Sequence, residues 1–278
     1  MKFLIVLLLA IVAALALPVD DTPVDPLIVG GVNALPGEFP FTVSIQWVVV
    51  GVSTHICGGV IINNIWVLTA AHCITETPTL GRLVVLVGRH NLAVVEPTGV
   101  LHEIDRQRSI IHPDWIAGPQ VGPDDLALLR IVVPITYNDR VQAARLPVAH
   151  AIPIGPATLS GWGSTGGNTL PNILQKTSKP VISLTDCRQA IFGLNLNGNL
   201  VDDTNICTGP LTGGVSACSG DSGGPLIQGA SPNQVMWNSW RTEWHLQASF
   251  SLQQLDLCQH RYPINSSQTQ LKVQTEVK

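Results

Sequence analysis

The stretch Ala217-Cys218-Ser219-Gly220-Asp221-Ser222-Gly223-Gly224-Pro225-Leu226 decides how the rest of the chain is read. Ser222 lies among small residues, with Asp221 before it and glycines on both flanks. A serine so placed suits a nucleophile on a tight turn. Glycine lets the backbone approach a substrate, and backbone N–H groups can face a developing negative charge. A serine hydroxyl alone is a poor nucleophile, so this reading requires a histidine base and an acid that orients it. A bare Gly-x-Ser-x-Gly also describes an ordinary glycine-rich turn between strands. The full ten residues are more specific, and they send the search for a base and an acid back along the chain.

Composition narrows the setting. The 278 residues carry a formal net charge of −4, with 12% charged residues and no run of Lys or Arg, so nucleic acid is not an expected partner. Hydrophobic content of 45% and 25 glycines suit a globular, strand-rich chain. The length allows one large domain or two lobes. Met1-Lys2 and the apolar run from Phe3 to Leu17 read as a secretory signal, residues 1–16, with Ala14-Leu15-Ala16 as its cleavage site. At 15 residues that run is shorter than the roughly 20 needed to span a bilayer, and Pro18 follows it, so no membrane anchor is expected. The mature chain is therefore expected to be secreted and extracellular. Its six cysteines (57, 73, 187, 207, 218 and 258) would enter an oxidising compartment, where disulfides form. No Cys/His group has zinc-ligand spacing, so neither a metal nor a cofactor is expected. Asn265-Ser266-Ser267 is a glycosylation sequon.

Along the chain, 17–27 is a short, acidic, proline-bearing segment, too small and polar to fold alone. Phe41 to Val52 and Gly58 to Leu68 read as strands bounded by glycine or asparagine turns. Leu83 to Val87, Ile104 to Ile111 and Leu126 to Val133 continue the short-strand rhythm. No long stretch shows a strong helical period, which points to an all-β chain. His72 closes the second run in Thr69-Ala70-Ala71-His72-Cys73, and Asp124-Asp125 precede the apolar Leu126-Ala127-Leu128-Leu129. A histidine at a strand end is commonly a solvated bystander, and an aspartate before a strand is commonly a turn residue.

Together these segments resemble the trypsin-like (chymotrypsin-fold) serine protease family over residues 28–229. The ten residues around Ser222 match its active-serine segment, Thr69 to Cys73 its base-bearing motif, and Asp125-Leu126-Ala127-Leu128 its acid motif. Gly161-Trp162-Gly163 and Ile28-Val29-Gly30-Gly31 match as well. The resemblance implies two packed six-stranded antiparallel β-barrels, linked through Pro134 to Pro153, with the site in the cleft between them. It selects Asp125 over Asp124, which would be exposed and dispensable. It makes Ser222 the nucleophile, His72 the base and Asp125 its orienter, with an oxyanion hole from the N–H groups of Gly220 and Ser222. Cys57 and Cys73 would pair beside the base, closing a loop worth roughly 3 kcal/mol, and Cys187 would pair with Cys207.

Ile28 resembles the family's mature amino terminus, making 17–27 an activation propeptide. Cleavage after Leu27 would create an ammonium group for Asp221, and burying that charge requires such a partner. Trypsin-activated relatives carry a basic residue where Leu27 stands, so an activator preferring large apolar residues is expected. The residue at the base of the specificity pocket is Ser216, as in chymotrypsin- or elastase-like members. A neutral hydroxyl there leaves a basic substrate side chain unpaired, which favours apolar ones. Substrates are expected to be proteins and peptides, protein inhibitors are expected partners, and the chain is expected to be a monomer.

Residues 230–278 depart from this pattern. All 25 glycines fall in the first 229 residues and none in the last 49. Ser239-Trp240 resembles the family's pocket-wall strand, but Arg241 takes the following glycine's place. Cys258 is the remaining candidate partner for Cys218, in surroundings that match nothing in the family. The C-terminal end is expected to be irregular, and a tail from another reading frame or exon would explain its composition. That tail supports the alternative of an impaired homologue, acting as a binding or decoy module or lacking activity.

Overall fold

The computed structural model describes residues 31–78, 80–116, 124–147, 151, 153–165, 170–193, 205–210 and 217–229, with short strands at 235–236, 239–241, 245–247 and 249–251. The 1–16 leader, the 17–27 segment, Ile28, Ser216, Cys258 and Asn265 lie outside the described residues.

After the short β1 (Val32–Asn33), the first half forms a closed antiparallel barrel of six strands. They are β2 (Thr42–Val49), β3 (Val52–Asn63), β4 (Trp66–Thr69), β5 (Arg82–Val87), β6 (Val100–Ile111) and β7 (Ala127–Ile131), closing in the order β2-β3-β4-β7-β6-β5. Valine and isoleucine dominate these strands because branched side chains pack well on a pleated surface. Val43, Ile45, Ile61, Val67, Val85, Leu129 and Ile131 fill the interior. The apolar run from Gly58 to Leu68 is two strands rather than one. The Asn63 side-chain oxygen accepts the Ile65 N–H at 3.0 Å, an Asx turn that reverses the chain between β3 and β4.

The second half contributes β8 (Pro156–Gly161), β9 (Gln175–Ile182), β10 (Ile206–Thr208), β11 (Leu226–Gln228), β12 (Val235–Met236), β13 (Ser239–Arg241), β14 (His245–Gln247) and β15 (Ser249–Ser251). Seven strands form one sheet, ordered β12-β11-β8-β9-β10-β15 with β1 also paired to β9. Among the described residues this sheet does not close, so the two-barrel expectation is met by one barrel and a sheet. Most pairings are antiparallel, but β10 and β15 run parallel. Ser239-Trp240 lies in a separate β13–β14 hairpin, apart from the main sheet.

Among the described residues two helices interrupt the strands, α1 (His72–Thr75) and α2 (Leu184–Gly193). Neither was expected, and the second is the longer. The start of α2 is encoded by Ser183, whose Oγ accepts the Asp186 N–H at 3.0 Å and donates to the Asp186 carboxylate at 2.6 Å. Cys187 on this helix is bridged to Cys207 on β10. The halves pack through Phe39, Phe41, Val60 and Leu68 against Trp162, Leu174 and Ile227. The Trp162 indole N–H donates to the His90 carbonyl at 3.2 Å across that seam.

Candidate active site

His72 opens α1 just after β4, and Asp125 lies two residues before β7, the neighbour of β4 in the barrel. The sheet register therefore brings together residues 53 apart in sequence. One Asp125 oxygen accepts the His72 backbone N–H at 2.9 Å, and the other lies 2.6 Å from His72 Nδ1. An ionised carboxylate only accepts, so the ring proton is on Nδ1 and Nε2 keeps its lone pair. Burial pushes the imidazole pKa down, but the hydrogen bond and charge of Asp125, with help from Glu76, outweigh it and raise the value above 6.5. Asp124 is not the exposed bystander that was expected. Its side chain is 15% exposed and lies 3.8 Å from His112 Nδ1.

Cys57 and Cys73 are bridged, with Cα atoms 6.2 Å apart, which ties β3 to α1 beside the imidazole. The Cys73 sulfur touches His72 Nε2 at 3.7 Å and the Ser222 carbonyl oxygen at 3.8 Å. A bridged sulfur has no proton, so these are packing contacts, and through them one sulfur touches both the base and the Ser222 backbone. Gly58 on β3 fixes that backbone. Its N–H donates to the Ser222 carbonyl at 2.8 Å, while its own carbonyl accepts from Thr69 Oγ1 at 2.8 Å. A Cβ at Gly58 would lie 2.9 Å from the Gly224 Cα, so only glycine permits this approach between the halves.

Asp221 points away from the cleft into the second half and is buried. Its two oxygens accept the N–H groups of Gly163 at 2.8 Å and Cys218 at 3.0 Å. This explains Gly161-Trp162-Gly163, since a Cβ at either glycine would come within 2.4 Å of the carboxyl group. Burial pushes the Asp221 pKa up to about 6, against the pull of the two N–H bonds and of Lys179. Cys218 is also disulfide-bonded.

Two groups around Asp221 escaped the reading of the sequence. His55 on β3 donates Nε2–H to the Gly220 carbonyl at 3.0 Å and accepts from Ser44 Oγ at 2.8 Å on Nδ1. Ser44 accepts from Gln46 at 3.2 Å, and Ser53 donates to the Gln46 side-chain oxygen, completing a relay toward the surface. Burial lowers the His55 pKa to about 4, so this ring stays neutral and props the serine loop. Lys179 on β9 is 1% exposed, and burial lowers its pKa to about 8 while the Asp221 charge opposes that shift. The signal for Lys179 was the period of two in β9, where Gln175, Thr177 and Lys179 share the buried face.

A family model described as Trypsin matches residues 28–250, past the point where the motif-based likeness ends. Cationic trypsin-3 of Rattus norvegicus is 36% identical over 228 residues, covering 81% of this chain and 83% of that protein. Trypsin of Sus scrofa is 34% identical, covering 79% and 87%. Chymotrypsin-like elastase family member 1 of Canis lupus familiaris is 35% identical, covering 74% and 78%. Among the described residues no helix is long and apolar enough to cross a membrane.

Proposed function

The chain belongs to the trypsin family of serine proteases, and from that premise we propose a secreted endopeptidase, made as a zymogen, that cuts after apolar residues. The observation that carries the catalytic reading is the His72–Asp125 pair, hydrogen-bonded at 2.6 Å, with the Cys73 sulfur in contact with both His72 Nε2 and the Ser222 carbonyl oxygen. In the proposed reaction His72 Nε2 takes the Ser222 proton as Oγ attacks the scissile carbonyl. The N–H groups of Gly220 and Ser222 hold the oxyanion. The tetrahedral intermediate expels the amine, which leaves with the proton from Nε2. Water then enters by the same route and releases the acyl group, restoring Ser222. Asp125 keeps the ring in the tautomer that has Nε2 free and stabilises the imidazolium between proton transfers.

Residues 1–16 are the proposed leader and 17–27 the propeptide, with 28–278 as the protease domain. An activator cutting after Leu27 would free the Ile28 ammonium for Asp221. The raised pKa of that carboxyl supports this reading, because a buried acid costs stability in its charged form until a cation joins it. The neutral Ser216 supports apolar specificity. Cys258 is the proposed partner of Cys218. A monomer acting on proteins and peptides and held by protein inhibitors completes the proposal.

The test is a serine-directed phosphonate applied to chain cleaved after Leu27, with mass spectrometry of the adduct. Labelling at Ser222, absent in Ser222→Ala, is the expected result. Folded, cleaved protein that takes no label would instead favour the binding or decoy reading, which the glycine-free tail supports.

A further inference from the structure

A second cluster of ligating side chains lies beside the proposed triad and takes no part in it. His112 and Asp114 follow the end of β6, and Asp124 precedes the acid Asp125 at the start of β7. Each offers one ligand atom, and the three atoms lie within 4.8 Å of one another. The His112 side chain is 3% exposed, with Nδ1 facing an Asp124 oxygen at 3.8 Å. Asp114 reaches the surface, so the cluster is buried on one side and open to water on the other.

The backbone holds these groups in register. His112 N–H donates to the Leu126 carbonyl at 2.9 Å, and Leu126 N–H donates to the Asp124 carbonyl at 2.7 Å. Asp114 N–H donates to His112 Nδ1 at 3.3 Å, a long bond that places the ring proton on Nε2 and that an ion at Nδ1 would replace. The spacing of Cys and His gave no sign of a metal site, because this donor set has one histidine and two carboxylates, the last of them ten residues further along the chain. The other cluster with ligating atoms among the described residues, Cys57, His72 and Cys73, has lost its thiolates to the disulfide.

One imidazole nitrogen and two carboxylate oxygens match the donors of an open zinc site, with water as fourth ligand. Calcium and magnesium favour about six or more oxygens. Tetrahedral bonds of about 2.1 Å put ligand atoms about 3.4 Å apart. The His112–Asp124 pair needs only a small contraction to reach that spacing.

We propose that His112, Asp114 and Asp124 form a site for zinc or a similar divalent transition ion, and that filling it slows the protease. Asp124 and Asp125 share a peptide bond, so a doubly charged ion on one is close to the other. Its field opposes the imidazolium that Asp125 stabilises during turnover. The effect on rate rests on the proposed triad. Binding of the ion does not.

The experiment is calorimetric titration of the full chain with zinc chloride, repeated with His112→Gln, with exposed-site Asp114→Asn, and with His72→Gln. One zinc per chain is expected, with affinity falling tenfold or more in His112→Gln and Asp114→Asn and unchanged in His72→Gln. With chain cleaved after Leu27, saturating zinc is expected to slow hydrolysis of a peptide amide by wild type and leave Asp114→Asn unaffected. The site is overturned if wild type binds no zinc, if Asp114→Asn binds within twofold of wild type, or if His72→Gln alone abolishes binding. Zinc that binds as expected while leaving the rate of an active enzyme unchanged overturns the coupling to the triad. A chain cleaved after Leu27 that binds zinc at these residues but never hydrolyses peptides overturns the proposed function and leaves the site standing.

Discussion

The two halves of the molecule bury different things. The first barrel closes on itself around valine, isoleucine and leucine, and the charged groups it supplies to the site sit at its rim. The second half buries Gln175, Thr177, Lys179, Ser160 and Asp221 beside a small apolar cluster of Ala157, Ile206 and Leu226. Ionisable groups in such surroundings are costly unless each is matched. The contrast separates two tasks. A closed barrel with an aliphatic interior gives His72 and Asp125 their mount, whereas the buried Lys179 of the second half leaves Asp221 sensitive to the charge brought near it.

The largest effect that would break this division is expected at the rim of the barrel. Asp125→Asn should lower kcat about 10⁴-fold, since an amide in that place favours the wrong imidazole tautomer. The same change should move the acid limb of kcat/KM to lower pH. In wild type the His72 pKa lies above 6.5 and activity is lost as pH falls through it, so removing its main support brings the value down. A pH–rate profile that did not move would mean that the carboxylate is not what raises it.

Within the barrel, Leu129→Ala should cost about 2–5 kcal/mol, the usual range for emptying a buried leucine site. Urea denaturation would measure this, and kcat per folded molecule should stay near wild type. A large loss of kcat in protein that remains folded would show that the barrel is more than a mount.

The second half is sharpened by Lys179→Met, which removes a buried cation at nearly constant volume. Asp221 has a folded pKa near 6, above its ordinary 3.8, so folding takes up protons and stability falls as pH rises through that window. Without Lys179 the folded value should rise further and extend the fall above pH 6, by on the order of 1 kcal/mol for each unit of change. Lys179 itself is depressed to about 8, so wild type should gain stability between about pH 8 and 10.5 as the amine becomes neutral. The variant should lack that gain. Superimposable curves of unfolding free energy against pH would show that the polar interior is electrostatically inert.

The smallest effect belongs to the surface. Lys176→Ala removes the 2.6 Å ion pair with Glu38, and the expected loss is about 0.2–1 kcal/mol, fading with added salt. A loss of several kcal/mol there would place that pair within the packing of β9.

Much of this was legible before any coordinate was known, for reasons specific to each residue. Strands β2 and β5 to β7 were readable because branched residues alternate with turn formers. The split at Asn63 was hidden, since Ile65 and Trp66 made the run look continuous while the reversal depended on a single side-chain hydrogen bond. Helix α2 was missed because ten residues show little period, although Ser183 and Asp186 carried the cap signal. His55 and Lys179 passed unnoticed because a buried polar residue is explained by its partners, and those partners, Gly220 and Asp221, are 165 and 42 residues away.

By itself the sequence determined which residue types were available and in what order. A serine among glycines, a histidine before a cysteine and an aspartate before an apolar strand specify local backbone and chemistry, and both are short-range. Only the tertiary structure decided that Gly161 and Gly163 exist to admit a carboxylate and that Asp124 turns toward His112. Those outcomes depend on strand register and on distances across the seam between the halves. Electrostatic and hydrogen-bond energies vary steeply with distance over a few ångströms, a scale that only the folded packing sets.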